Sequence, residues 1–223
     1  MAEKPRVKAP KQRTTPKSER TGRSRRSLLL AGVVGLAAVG VVAVVALAGI
    51  GGSTDARAAL ETAGCTLQVE PGGTPAHSIR DPGDSSKAWN TDPPTSGPHY
   101  GIAAIFGEYD EPLERARVIH NLEHGGVFIH YGDRVSQSTV QQLRDFYAAH
   151  KSGTILAPYP GLGNKIALGA WVYTPEELAS ESHGQGYLAK CTTFDEAAFA
   201  AFLKEYQFSG SHVNDPDLLQ PGH

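Results

Sequence analysis

Residues 127–157 read VFIHYGDRVSQSTVQQLRDFYAAHKSGTILA, and this stretch decides the fold that the sequence predicts. Its first five residues, 127–131, are β-branched or aromatic apart from one His, which predicts a strand. Apolar side chains then recur at helical spacing over 139–150, and a helix is expected there. A second short β-rich run follows at 154–157. A strand, a helix and a strand in close succession favour one small α+β domain.

The sequence on the carboxyl side of this stretch adds a strand and a helix. Residues 166–173 are a further β-rich run, and aromatic and Leu side chains at helical spacing predict a helix over 194–206. Ser138 and Thr193 are the expected N-terminal caps of the two helices. We expect the three strands to form one central sheet, with the two main helices packed on it.

Residues 28–50 (LLLAGVVGLAAVGVVAVVALAGI) contain no charged side chain and have the length and composition of one membrane-spanning helix. Four Arg precede this segment between positions 20 and 26, whereas only Arg57 follows closely. The positive-inside rule therefore places the N-terminus in the cytoplasm and the main domain outside it. Two alternatives stay open, a signal peptide cleaved near Ala56 and Ala58, or a twin-arginine export signal. Both also export the main domain.

Five segments are predicted along the chain. They are a disordered basic cytoplasmic tail (1–27), a transmembrane helix (28–50), a juxtamembrane linker (51–64), a folded extracytoplasmic domain (65–208) and a polar C-terminal tail (209–223). The net charge of −2 is the sum of two parts of opposite charge. Residues 1–26 carry ten Lys and Arg and two Glu, whereas residues 51–223 carry eleven Lys and Arg and 21 Asp and Glu. An acidic folded part argues against nucleic-acid binding. The expected protein is a single-pass protein of the cytoplasmic membrane, and its expected partners are the lipid bilayer and other envelope proteins.

The two cysteines, Cys65 and Cys191, stand near the start and the end of the predicted domain. In an oxidising compartment, the default interpretation of two such cysteines is a structural disulfide. The alternative is a redox pair or a pair of thiolate metal ligands, although no C-x-x-C spacing supports it.

Four of the nine His lie between positions 99 and 130, in or beside two short segments. The first segment, PTSGPH at 94–99, is held by its prolines, and the second, HNLEHGG at 120–126, runs into two glycines. Because imidazole is the commonest metal ligand and suits Zn²⁺ or Cu²⁺, we predict a metal site here. The exported part contains no Met, which argues against a Cu⁺ thioether site. The predicted ligands are His99, His120, His124 and His130, with Glu123 and Ser96 orienting them.

Residues 120–124 also have the H-x-x-E-H form of the inverted zinc-protease motif. That motif needs a helix, and the two glycines that follow make this segment a poor helical platform. No catalytic residue is therefore assigned, and three hypotheses stay open. They are a metal-binding envelope protein, a metal-dependent hydrolase that uses the same His and Glu, and a non-catalytic interaction module whose His only hold loops together.

The two His segments together resemble the signature of an uncharacterised, mainly bacterial family, domain of unknown function 3105. The later APYP at 157–160 and the pair Ala170-Trp171 also fit its pattern, so the likeness extends over roughly residues 60 to 208. The resemblance implies a basic N-terminus and one membrane anchor ahead of the domain. It also implies that the loop ending at His99 and the segment 120–124 belong together, and it implies no activity.

Overall fold

Short apolar runs separated by glycines build a mixed sheet of six strands in the described part of the chain. The computed structural model describes residues 56–75, 77–78, 89–173, 177 and 183–210. The strands are β1 (Thr66–Pro71), β2 (Gly107–Glu108), β3 (Val127–Tyr131), β4 (Thr154–Pro158), β5 (Ile166–Val172) and β6 (Gln185–Cys191). Their order across the sheet is β1-β6-β5-β3-β4-β2.

Parallel pairing is confined to one side of this sheet. β3 and β2 both run parallel to β4, whereas β5, β6 and β1 follow one another in antiparallel pairing from β3 outward. The parallel pair of β3 and β4 requires a crossover connection, and the helix between them supplies it. The three strands predicted from sequence lie side by side as β5, β3 and β4, which confirms the α+β class.

Helices cover both faces of the sheet. The described helices are α1 (Ala56–Thr62), α2 (Arg115–Glu123), α3 (Gln137–Ala149) and α4 (Glu196–Tyr206). On one face, α1, α3 and α4 bury Val127, Ile129 and Leu168 of the central strands. On the other face, α2 packs over Phe128 and Trp171. The two-residue period of the strands thus separates two hydrophobic layers.

The two main helices begin near their predicted positions, but other residues cap them. Ser136, rather than Ser138, accepts a hydrogen bond from a backbone N–H of the first turn of α3 at 3.1 Å. Asp195, rather than Thr193, does the same for α4 at 2.9 Å. Each cap is the extended residue immediately before its helix, which is where a side chain reaches the unpaired N–H groups of the first turn.

The folded part reaches further toward the N-terminus than the sequence predicted. The segment 51–64, expected to be a linker, contains α1, whose Ala56 and Leu60 are buried in the core that α4 also lines. The Ala56 N–H also donates to the Glu205 carboxylate of α4 at 2.7 Å. A seven-residue helix with two buried residues has too little periodicity to be recognised in the sequence.

Cys65 and Cys191 form the predicted disulfide. Cys65 lies between α1 and β1, Cys191 is the last residue of β6, and both are buried. The bond therefore ties the edge strand β1 and its preceding helix to the neighbouring strand.

Residues 1–55 and 211–223 lie outside the described residues. The predicted basic tail, the transmembrane helix at 28–50 and most of the C-terminal tail fall there and stay predictions. Among the helices that the structure describes, none is both long enough and apolar enough to cross a membrane.

Candidate metal centre

The C-terminal turn of α2 carries buried polar side chains, two of which lie on one side of the helix. His120 and Glu123 are three residues apart and so lie on the same side of the helix, and each is less than a tenth exposed. The helix ends here because Gly125 adopts a φ of +81°, and its N–H donates to a carbonyl of the last turn at 2.9 Å. The N–H of Gly126 closes a second such bond at 2.9 Å.

The loop that carries His99 is held on both sides of that residue. Before it, the Trp89 indole N–H donates to the carbonyl of Pro98 at 2.8 Å. After it, the Tyr100 N–H donates to the carbonyl of Ala116, in the first turn of α2, at 3.3 Å. These bonds place the imidazole of His99, which is fully buried, against α2.

Four side chains converge between this loop and α2. One ligating atom from each of His77, His99, His120 and Glu123 lies within 4.8 Å of all the others, and we call this group the His3Glu cluster. The ring centroids of His77 are 4.8 Å from those of both other His, and the His99 and His120 centroids are 5.1 Å apart. The His77 side chain is 53% exposed and forms the solvent-facing side of the cluster.

Two backbone carbonyls determine which ring nitrogens of His99 and His120 carry the proton. His99 Nδ1 lies 2.8 Å from the carbonyl oxygen of Gly97, and His120 Nδ1 lies 2.6 Å from that of Tyr100. Because a carbonyl oxygen can only accept, both Nδ1 atoms carry a proton and donate it. In the neutral rings Nε2 then keeps its lone pair, and this atom faces Glu123 in His99 and the His124 ring in His120. Metal-bound His in proteins are almost always held in this way.

The Glu123 carboxylate lies so close to two imidazole nitrogens that a cation is expected between them. Its Oε2 atom is 3.0 Å from His99 Nε2 and 3.3 Å from His77 Nε2. Since Nδ1 of His99 is protonated, its Nε2 lone pair would face the carboxylate lone pairs unless a proton or a metal cation lay between them. In a tetrahedral zinc site the ligand atoms are about 3.3 Å apart, which is close to both distances.

The electrostatics of His120 favour its metal-binding form. Burial lowers the pKa of the His120 imidazole, although its hydrogen bond to the Tyr100 carbonyl and the charge of Glu123 act in the opposite direction. The other two His of the cluster lower the pKa further. The net direction is toward the neutral ring, and only the neutral ring has a lone pair to give to a metal ion.

The sequence of this domain matches one family model over residues 83–218, which is more than half of the chain. The chain belongs to the family described as protein of unknown function (DUF3105). No curated protein and no solved structure matches it. The DUF3105 match includes His99, His120 and Glu123 of the cluster, whereas His77 precedes it.

The DUF3105 domain brings together part of the predicted ligand set. His99 and His120 both belong to the cluster, and Glu123 offers it a carboxylate oxygen directly rather than only orienting a His. His124 follows the last residue of α2 and contacts the cluster from outside the group. Its ring stacks on that of His120 with centroids 4.7 Å apart, and the two Nε2 atoms are 2.7 Å apart.

The other two predicted residues have different surroundings. His130 lies on β3 between the rings of Phe128 and Tyr159, at centroid distances of 4.2 and 5.3 Å. It is 4% exposed and makes no part of the His3Glu cluster. The Ser96 hydroxyl accepts a hydrogen bond from the Gly73 N–H at 2.8 Å, so it links the His99 loop to the segment after β1.

His77 is the cluster member that sequence reasoning missed. It follows β1 in a stretch rich in Gly and Pro, outside both His segments and without a motif of its own. Its ring stacks on His120 at an interplanar angle of 10°. The sequence contains no signal for this contact beyond the presence of a His in the same loop-rich region as His99.

The prediction that the segment 120–124 is a poor helical platform is wrong, because four of its five residues are helical. α2 extends to Glu123, and Gly125 and Gly126 end the helix without preventing it. The arrangement still differs from a protease motif in which both His hold the ion. The group that gathers with His120 contains Glu123, and its other His come from loops.

Proposed function

We propose that this domain binds one divalent transition-metal ion through the His3Glu cluster. The observation that carries the proposal is the shared orientation of His99 and His120. Each gives its Nδ1 proton to a backbone carbonyl, which keeps a lone pair on Nε2 of the neutral ring. Histidines that only held loops together would need just these hydrogen bonds to backbone carbonyls. They would not require three imidazoles and a carboxylate within 4.8 Å of one another, because burying so many polar groups costs free energy.

The ligand chemistry selects the class of metal. Three imidazole nitrogens and one carboxylate oxygen suit Zn²⁺ or Cu²⁺. Soft sulfur ligands are excluded, since the two cysteines are joined in the disulfide and the one Met of the chain is Met1. Zn²⁺ is the better match, because four ligands of these types complete the tetrahedral coordination that it prefers.

We further propose that the domain works on the outer side of the cytoplasmic membrane, where residues 28–50 anchor it. The uncharged length of that segment and the Arg residues ahead of it support a single span with the N-terminus inside. The disulfide supports the same side, because such bonds persist in oxidising compartments and are rare in the cytosol.

Elemental analysis of the full-length protein, purified in detergent without a His tag, tests the metal site. We expect one Zn or Cu per chain, and we expect His120→Ala and Glu123→Gln to lose it. His150→Gln is a matched control, because His150 follows α3 and packs on Phe146 of the opposite sheet face. A wild-type protein that binds no added metal, or variants that keep it, would contradict the proposal.

Protease digestion of intact cells stripped of their outer layers tests the topology. Added protease should remove the domain and spare the N-terminal tail, as detected by tags at the two termini. A domain that is digested only after the membrane is broken would show the opposite orientation.

A further inference from the structure

Tyr173, the residue after β5, has a buried hydroxyl group that lacks a hydrogen bond. The residue is 5% exposed, and within the described part of the chain no atom is a hydrogen-bond partner of its hydroxyl oxygen. Buried Tyr hydroxyls usually have a partner, because leaving one unpaired costs free energy. The exception therefore points to a group that this protein binds.

The position of Tyr173 connects it with the His3Glu cluster. Its ring packs on that of Trp171 with centroids 5.3 Å apart, and Trp171 stands edge-on to His99 at 6.1 Å. Trp171 is fixed in turn, because its indole N–H donates to the carbonyl of His183 at 2.7 Å. The rings of Tyr173 and Trp171 thus form a chain of contacts that leads to the buried His99 of the cluster.

The surroundings of Tyr173 also determine its role as a donor. Burial raises the pKa of the Tyr173 phenol well above its usual range, and the negative charges of Glu123 and Glu177 raise it further. Any Tyr phenol is protonated at physiological pH, and this shift only strengthens that state. What the site lacks is an acceptor for that proton's hydrogen bond.

We propose that the Tyr173 hydroxyl donates a hydrogen bond to a small anionic ligand, such as a carboxylate, that binds the metal ion from solution. This inference rests on the proposed metal site. The cluster supplies four ligands, and the anion enters as a fifth, a coordination number to which four-coordinate Zn²⁺ sites sometimes expand. A donor fixed beside a metal-bound anion stabilises its negative charge.

Azide binding to the Cu²⁺-loaded full-length protein tests this proposal, because azide is an anion whose copper complex has a charge-transfer absorption band. We expect saturable azide binding in the wild type. In Tyr173→Phe we expect azide affinity to fall about tenfold or more, as for the loss of a hydrogen bond to a charged group, with Cu²⁺ affinity unchanged. Tyr187→Phe is the matched control, since Tyr187 packs on Tyr206 at the opposite face and should bind azide as the wild type does.

Two outcomes would overturn the inference while leaving the metal site in place. One is a copper-loaded wild type that does not bind azide, and the other is a Tyr173→Phe variant that binds azide as tightly as the wild type. Failure to bind Cu²⁺ at all would instead contradict the proposed function. Tyr173→Phe removes only an atom without a partner, so the metal-free variant should unfold at a temperature no lower than the wild type. Electron–nuclear double resonance on the wild-type copper–azide complex gives a readout without any variant, namely an exchangeable proton close to the bound azide.

Discussion

The side chain of Asn121 and the backbone of Ala104 form two hydrogen bonds with each other. The Ala104 N–H donates to Asn121 Oδ1 at 3.0 Å, and Asn121 Nδ2 donates to the Ala104 carbonyl at 2.8 Å. Asn121 lies on α2 between the two cluster residues of that helix, and Ala104 lies in the loop beyond His99. Both residues are buried. This pair therefore joins the loop and the helix that supply the buried part of the cluster.

Replacing Asn121 by Ala should weaken both the fold and the metal site. The change removes two hydrogen bonds and leaves buried backbone groups of Ala104 without partners, which predicts a loss of about 2–4 kcal/mol in the free energy of unfolding. Urea denaturation of the metal-free protein measures this loss, and competition with a chelator measures the accompanying fall in metal affinity. Gln141→Ala, which removes an exposed side-chain bond to Asp145, should stay within about 0.5 kcal/mol of the wild type. Equal stabilities of the two variants would contradict the structural role of Asn121.

A second prediction concerns Gly126 and Gly101, two glycines in the segments that carry the cluster. A Cβ atom on Gly126 would lie 2.4 Å from the Phe106 ring and 2.9 Å from the Asn121 carbonyl oxygen. A Cβ atom on Gly101 would meet nothing closer than the Cβ of His77 at 3.8 Å, an ordinary contact. Gly126→Ala should therefore cost about 1–3 kcal/mol of stability and weaken metal binding, because the end of α2 must move. Gly101→Ala should change neither by much. Thermal unfolding and competition with a chelator measure the stability and the metal affinity of both variants. A Gly126→Ala variant with the stability and metal affinity of the wild type would contradict the close packing at this position.

The centre of the sheet could be predicted from sequence because its signals are local. The β-rich runs of β3, β4 and β5 and the amphipathic pattern of α3 each lie within one short segment. β2 has only two residues, which are too few to show the alternation of apolar and polar side chains that predicts a strand. β6 has buried residues at both odd and even positions, so this alternation is absent there too. The sequence shows no start signal for α2. The residue before the helix is Glu114, which is not a typical N-terminal cap, and its side chain makes no capping hydrogen bond. The glycines that end α2 were also interpreted as a loop.

The candidate site was predictable in part for the same reason. His99 and His120 stood out because each lies in a compact segment with other polar residues and glycines. The sequence could not show that Glu123 faces the same side as His120, because that depends on the helix continuing to residue 123. His77 and Tyr173 join the region only through tertiary contacts, His77 by stacking on His120 and Tyr173 through Trp171. Contacts of this kind have no fixed spacing in the chain.

The disulfide predicts a large effect on stability. It closes a loop between residues 126 positions apart, and in the chain-entropy model such a bond contributes about 5 kcal/mol by restricting the unfolded chain. Replacing both Cys65 and Cys191 by Ala should remove most of this stabilisation, and urea denaturation of the metal-free protein measures it. Metal affinity under folding conditions should change little, because the cluster lies on the other face of the sheet from Cys65 and Cys191. A double variant as stable as the wild type would contradict the prediction.

His130 predicts how stability depends on pH. Burial, with a smaller contribution from the charge of Arg115, lowers the pKa of His130 to about 3. In the described part of the chain its Nδ1 atom has no hydrogen-bond partner, and the rings of Phe128 and Tyr159 pack on either side of it. The folded protein therefore holds this His neutral, whereas the unfolded chain protonates it below a pH of about 6.5.

Since the unfolded state then binds the extra proton, the contribution of His130 to stability is complete above about pH 6.5 and decreases as the pH falls toward 3. His130→Phe keeps an aromatic ring in the stack and removes the titrating group. Between pH 7 and pH 4.5, the metal-free wild type should lose about 2–3 kcal/mol more stability than this variant does. Urea denaturation at the two pH values, with chelator present throughout, gives this difference, and every other titrating group cancels between the two proteins. Equal losses in the wild type and the variant would mean that His130 accepts a proton in the folded state, which its apolar surroundings on β3 oppose.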